Sequence, residues 1–136
     1  MERDPRIERR WLVHGVSLDI IPAGPRLRAQ GFVRWGDHTM SFAGLHLAFE
    51  HAVAGSLCAS LVFRVAPPAV VVILKMISYC ERPGERDRDL GDFVHLLDEY
   101  VGADDDRRFE DHVVAANLGW DDVSAHELGV DLQLLA

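Results

Sequence analysis

At Pro67-Pro68 the pattern of apolar residues changes its period, and that change leaves few folds open. Before it, apolar residues come in short alternating runs cut by glycine and proline, the mark of strands and tight turns. "RRWLV", then His14-Gly15, then "VSLDII" reads as a β-hairpin, ended by Pro22 and Pro25, which cannot donate to a ladder. Residues 26–38 read as irregular, "TMSFAG" as a short strand and Leu45 to Phe49 as a helical turn. "HAVAG" and "SLVFRVA" read as a second hairpin. After Pro67, "AVVVILKMISYCE" is long enough for a buried helix, and Pro83-Gly84 stops it. "RDRDLGDFVHLLDEYV" carries apolar residues at helical spacing, with Gly102 as its expected cap. Asp104 to Asp106 open a further helix that Gly119 closes, and "DDVSAHELGVDLQLLA" supplies the last one or two. Strands first and helices afterwards is the order of an α+β fold, not of an alternating one.

The chain has 136 residues, enough for a single domain over 1–136, with a strand-rich part at 1–66 and a helical part at 67–136. Its 14 basic and 22 acidic residues leave a formal charge of −8, which argues against broad nonspecific nucleic-acid binding. A local basic patch, or a metal ion carrying the positive charge, remains compatible with it. Cys58 and Cys80 have no finger or CxxC spacing and read as buried free thiols of a reducing compartment. The charged "MERDPRIERRW" is followed by no apolar core, so a signal peptide is not expected. The apolar run from Val65 to Ile77 contains two prolines and a lysine and is too short to span a bilayer. A cytoplasmic protein without a membrane partner is the expectation.

Two residues break the apolar pattern. Asp19 lies in a strand whose Val16, Leu18 and Ile20 should face a core, so alternation puts it on the opposite face. Lys75 is the only charge between Arg64 and Glu81. As a rim lysine it would snorkel, contribute little to folding, and tolerate Lys75→Leu, which extends an apolar face. Helical spacing instead aligns Lys75, Tyr79 and Arg82 into a stripe suited to phosphate. Asp89 and Asp92, three apart on the next helix, are placed to orient Lys75 or Arg82. The histidines form no motif: His46 and Glu50 are i,i+4 without HExxH, and His95 and His112 read as surface residues.

In this order the segments resemble nucleotidyltransferase-fold proteins of the AbiEii (abortive-infection toxin) type. "RRWLVHGVSLDIIPAG" resembles their third-carboxylate strand. "VAPPAVVVILKMISYCERPGERDRDLGDFVHLLDEYV" resembles their Leu-Lys helix, arginine-rich turn and following Asp-x-x-Asp helix. "SAHELGVDLQLLA" is similar to their closing Leu-Gly-Arg-Asp helix, with Val130 in the arginine's place. The resemblance implies a mixed sheet in the N-terminal half and a helical bundle in the C-terminal half. It implies Asp19, Lys75 and Asp89 as catalytic residues converging on one cleft, with Asp19 on Mg²⁺. Lys75, Tyr79, Arg82 and Asp92 would then face a nucleoside triphosphate, and an antitoxin or an RNA acceptor would be the partner.

The family's Gly-Ser turn and Asp-x-Asp pair have no counterpart in this sequence. The resemblance therefore implies the C-terminal part of an NMP-transferring enzyme or toxin, truncated or degenerate, holding Mg²⁺ only if further carboxylates are supplied. The alternative is a non-catalytic protein that keeps a degenerate form of the fold and associates with a partner or as a homodimer, because a sheet without its first strands leaves an open edge.

Overall fold

His14 and Gly15 both have positive φ, 50° and 81°, as a two-residue type I′ hairpin turn requires. They join β2 (Arg10–Val13) to β3 (Val16–Asp19), and the short β1 (Glu2–Arg3) pairs with β2 on the other side. The structure is a computed structural model that describes residues 2–58 and 61–135.

The chain divides into two compact units, Met1–Ala43 and Gly44–Ala136. The first unit continues with α1 (Pro25–Gln30), in a stretch expected to be irregular. Pro25 starts it, and Gly31 at φ 82° ends it by donating to the carbonyls of Leu27 and Arg28. Six residues are too few to show a helical period, so only these end signals betray it. β4 (Phe32–Trp35) and β5 (His38–Ser41) form a second hairpin. Val33 and Phe42 are the buried apolar residues of this unit. Val16, Leu18 and Ile20 are not core-facing as alternation predicts: all three are exposed, and among the described residues β3 is the edge of its small sheet.

The second unit opens with α2 (Leu45–Glu50), whose preceding Gly44 has φ 73° and lies against α3 (Pro68–Glu81). The positive φ favours glycine there, and a Cβ would also sit 2.5 Å from Ile77 Cδ1, so the Ile77 side chain would have to shift. Between these helices runs an antiparallel ribbon, β6 (Val53–Cys58) with β7 (Leu61–Val65), irregular in register between Ser56 and Cys58. Then come α4 (Asp87–Glu99), α5 (Asp111–Ala116) and α6 (Val123–Gln133), linked by 3₁₀ turns. α4 ends at Tyr100, ahead of Gly102, and α5 ends at Asn117 in the left-handed region, ahead of Gly119.

Ala69, Val72 and Leu128 form the helical core, with Phe93, Leu96, Leu97, Tyr100, Leu132 and Leu135 packed around them. Fully burying a side chain such as Leu128 is worth about 1.5–3 kcal/mol. The buried Arg108 donates to the carbonyls of Val101, Gly102 and Trp120 and stacks its guanidinium on the Trp120 ring, tying the α4–α5 connection to the start of α6. The fold is thus α+β, with strands in the N-terminal half and helices in the C-terminal half. Its described strands pair as three small antiparallel sheets where one mixed sheet was expected, because each short strand pairs with its sequence neighbour across a turn. No helix among the described residues is long and apolar enough to cross a membrane. Cys80 is exposed at the end of α3, not buried as its apolar neighbours imply; the side chain of Cys58 lies outside the described residues.

Candidate functional site

α3 is apolar on most of its surface, and α4 packs along it with Phe93, Leu96 and Leu97. At the rim of that contact the Lys75 ammonium meets two carboxylates of α4, Asp89 Oδ1 at 2.9 Å and Asp92 Oδ2 at 2.5 Å. The Asp-x-x-Asp spacing puts both acids on one helical face, so the first two turns of α4 present them together. Arg86 approaches Asp89 from its own helix at 3.5 Å. Lys75 does not snorkel freely; it is the shared cation of a clamp between two helices.

The charges set one another. Burial pushes the Asp89 carboxyl up, but hydrogen bonds from Lys75 and Ser78 and the charges of Lys75 and Arg86 outweigh it and hold the group below its ordinary value. Burial likewise pulls the Lys75 ammonium down, and the two aspartates more than reverse that. At neutral pH Lys75 and Asp89 are therefore both ionised. An ammonium has three donors, and among the described residues the clamp uses two, which leaves one N–H for an incoming oxygen.

Tyr79 lies one turn further along α3. Arg82 lies past the helix's last residue with φ −148°, turned out of the helical stripe, and pairs at 3.4 Å with Glu85. Asp19 belongs to the first unit. It stands directly across from Arg10 in the β2–β3 ladder, and its carboxylate accepts from Arg10 at 2.8 and 3.2 Å, with Arg9 at 3.4 Å. The hydrogen bond from Arg10 holds the Asp19 carboxyl below its ordinary value. One carboxylate with two guanidinium groups against it is a poor match to Mg²⁺, which needs an octahedron of oxygens.

A second cluster has no signature in the sequence. His112 on α5 and His126 and Glu127 on α6 bring their ligand atoms within 4.8 Å of one another. His112 is exposed, as its spacing in the sequence implies, yet its Nε2 is 2.6 Å from Glu127 Oε1. No spacing rule could have found it, because the turn after Asn117 brings together residues of two helices that share no period. Elsewhere on α6, the Tyr100 hydroxyl donates to Asp131, and burial with that carboxylate pushes its pKa up to about 12.

The fold and these sites define an α+β chain with a lysine clamp in its helical part and an arginine-held carboxylate in its strand part. The chain matches no family model, no curated protein and no solved structure.

Proposed function

We propose that this chain is the C-terminal, nucleotide-facing part of a Mg²⁺-dependent nucleotidyltransferase of the AbiEii toxin type, and that by itself it binds a nucleoside triphosphate weakly without turning it over. The observation that carries the reading is Lys75 clamped by Asp89 and Asp92. These are the residues that the resemblance aligns on two successive helices. In nucleotidyl transfer an acceptor hydroxyl attacks the α-phosphorus and pyrophosphate leaves, and a positioned cation at the phosphates favours that charge redistribution. A lysine with two carboxylates fixing its head offers its third N–H in one direction, at a lower entropic cost than a free side chain. Mg²⁺ would supply charge neutralisation on the phosphates only where further carboxylates join Asp19. An RNA or an antitoxin-like protein is the partner this reading implies.

Calorimetry with each of the four ribonucleoside triphosphates, with and without Mg²⁺, tests the binding, and radiolabel transfer onto bulk tRNA or onto the chain itself tests turnover. The expected result is weak binding that fades with salt, disappears in a folded Lys75→Ala variant, and is accompanied by no transfer. Absence of binding to all four nucleotides would refute the reading. Robust transfer abolished by Asp19→Ala would refute its inactive half.

The β6–β7 ribbon favours a second reading, self-association. Every residue of β7 is exposed, Val62 at 70%, and Val53 and Val65 lie opposite each other uncovered. A two-stranded ribbon is marginal alone, and among the described residues neither of its edges pairs with a further strand. A second copy suits it because its lone charge, Arg64, is engaged by the carbonyls of Phe49 and Ala52. Residues 53–65 carry no carboxylate, so two chains of formal charge −8 would meet there away from their acidic side chains. Sedimentation should show a dimer that Val62→Lys dissociates; a monomer at the highest attainable concentration would sink this reading.

A further inference from the structure

We propose that His112, His126 and Glu127 bind one zinc-type divalent transition ion, which fastens α5 to α6. The three ligand atoms already lie within 4.8 Å of one another, and the two imidazole rings lie side by side with centroids 5.7 Å apart. Around Zn²⁺, nitrogen and oxygen ligands at about 2.0–2.1 Å stand roughly 3.3 Å from one another in a tetrahedron. His112 and Glu127, now at 2.6 Å, would part slightly, and His126 would move in. Both motions are within reach of side-chain rotation, since His112 is exposed and its helix is short.

Three further features point the same way. Glu127 is only 4% exposed, and among the described residues its one ion-pair partner is His112, so no arginine or lysine there competes with an incoming cation. Glu110 Oε2 stands 3.5 Å from His112 Nδ1, on the opposite side of the ring from Glu127. The 2.6 Å contact between Nε2 and Glu127 shares a proton that an incoming metal ion would displace, and a carboxylate beside Nδ1 then favours the proton on that nitrogen, the arrangement common behind histidine ligands. Two imidazoles and one carboxylate also make a nitrogen-rich set, which suits zinc and its neighbours and not Mg²⁺ or Ca²⁺. Exposure on the His112 side gives the ion a way in and leaves the fourth position to water.

This inference is independent of the nucleotide reading and is tested without any activity. Full-length chain, stripped with a chelator and carrying Cys80→Ser so that the exposed thiol captures no metal, is titrated with Zn²⁺ alone and with Mg²⁺ alone. Calorimetry and native mass spectrometry should find one Zn²⁺ per chain, a raised melting temperature and no matching response to Mg²⁺. His126→Ala and His112→Ala should each weaken zinc binding at least tenfold, while His95→Ala leaves it unchanged. Glu127→Gln adds the buried ligand, with circular dichroism checking that it folds. Equal zinc affinity in the two histidine variants and the parent, or no zinc binding at all, would overturn the assignment.

Discussion

Asp19 and Asp89 are the same side chain in nearly the same predicament, each held by two cations, yet the surroundings give the pairs different weight. Asp19 lies on an edge strand with its side chain 32% exposed, and its main partner, Arg10, is its cross-strand neighbour in one hairpin. Asp89 is 10% exposed and meets a lysine from another helix. Water solvates the first pair in any case and screens it. Little water reaches Asp89, so its charge depends on its partners to be tolerated, although Lys75 itself is 31% exposed. A hairpin turn brings the first pair together; only helix packing assembles the second. A pairing of the second kind holds tertiary structure in register and fixes a side chain's direction, and one of the first kind does neither.

The largest expected effect comes from breaking the buried pair on its cationic side. Lys75→Met keeps the volume of the stem but leaves Asp89 with Arg86, at 3.5 Å, as its one cation and with the Ser78 hydrogen bond. Because Lys75 is 31% exposed, the loss should fall below that of a fully buried pair, at about 1–3 kcal/mol of unfolding free energy. The paired change Lys75→Met with Asp89→Leu should recover much of it, since no charge is then stranded. Urea unfolding of both variants is the measurement. A neutral Lys75→Met would return this lysine to the freely snorkelling role its apolar neighbours alone suggest.

The pH dependence sharpens the same contrast with a smaller effect. Asp89 has its folded value depressed below the ordinary 3.8, so its contribution is present above that value and is lost as pH falls through the depressed one. Lys75 has its folded value raised above 10.5, so its contribution is present below 10.5 and is lost as pH rises through the raised one. The stability gap between the parent chain and Lys75→Met should therefore be flat from about pH 5 to pH 9 and close at both extremes. A gap that varied steadily across neutral pH would show that some other group governs the clamp.

What the sequence made legible depends on how local each cause is. The His14-Gly15 turn and the helix breaks around Pro83 depend on short-range turn chemistry, and the shared face of Asp89 and Asp92 on helical period, while their meeting with Lys75 also needs α4 to pack on α3. α1 escaped because a six-residue helix has no measurable period. The exposed faces of β3 and β7 escaped because alternation tells which residues share a face, and not whether anything packs on it. The His112–Glu127 contact escaped because it depends on how two short elements fold back on each other. Asp19 was legible as an anomaly, but its arginine partners could be assigned only once the register of β2 on β3 was known.

The smallest expected effect is at Asp19, and it decides whether the comparison holds. Asp19→Asn keeps the shape, an acceptor oxygen and the strand, and removes only the charge that Arg10 and Arg9 share. In an exposed cross-strand pair that charge is largely replaced by solvent and counterions, so the melting temperature should stay within experimental scatter of the parent at physiological salt. At low salt a slight loss should appear, because screening no longer masks the two guanidinium groups left facing each other. Melting curves at two ionic strengths measure both statements. A loss at physiological salt as large as that of Lys75→Met would mean that Asp19 is held as tightly as Asp89. The arginines would then be positioning a functional carboxylate, not merely neutralising a surface one.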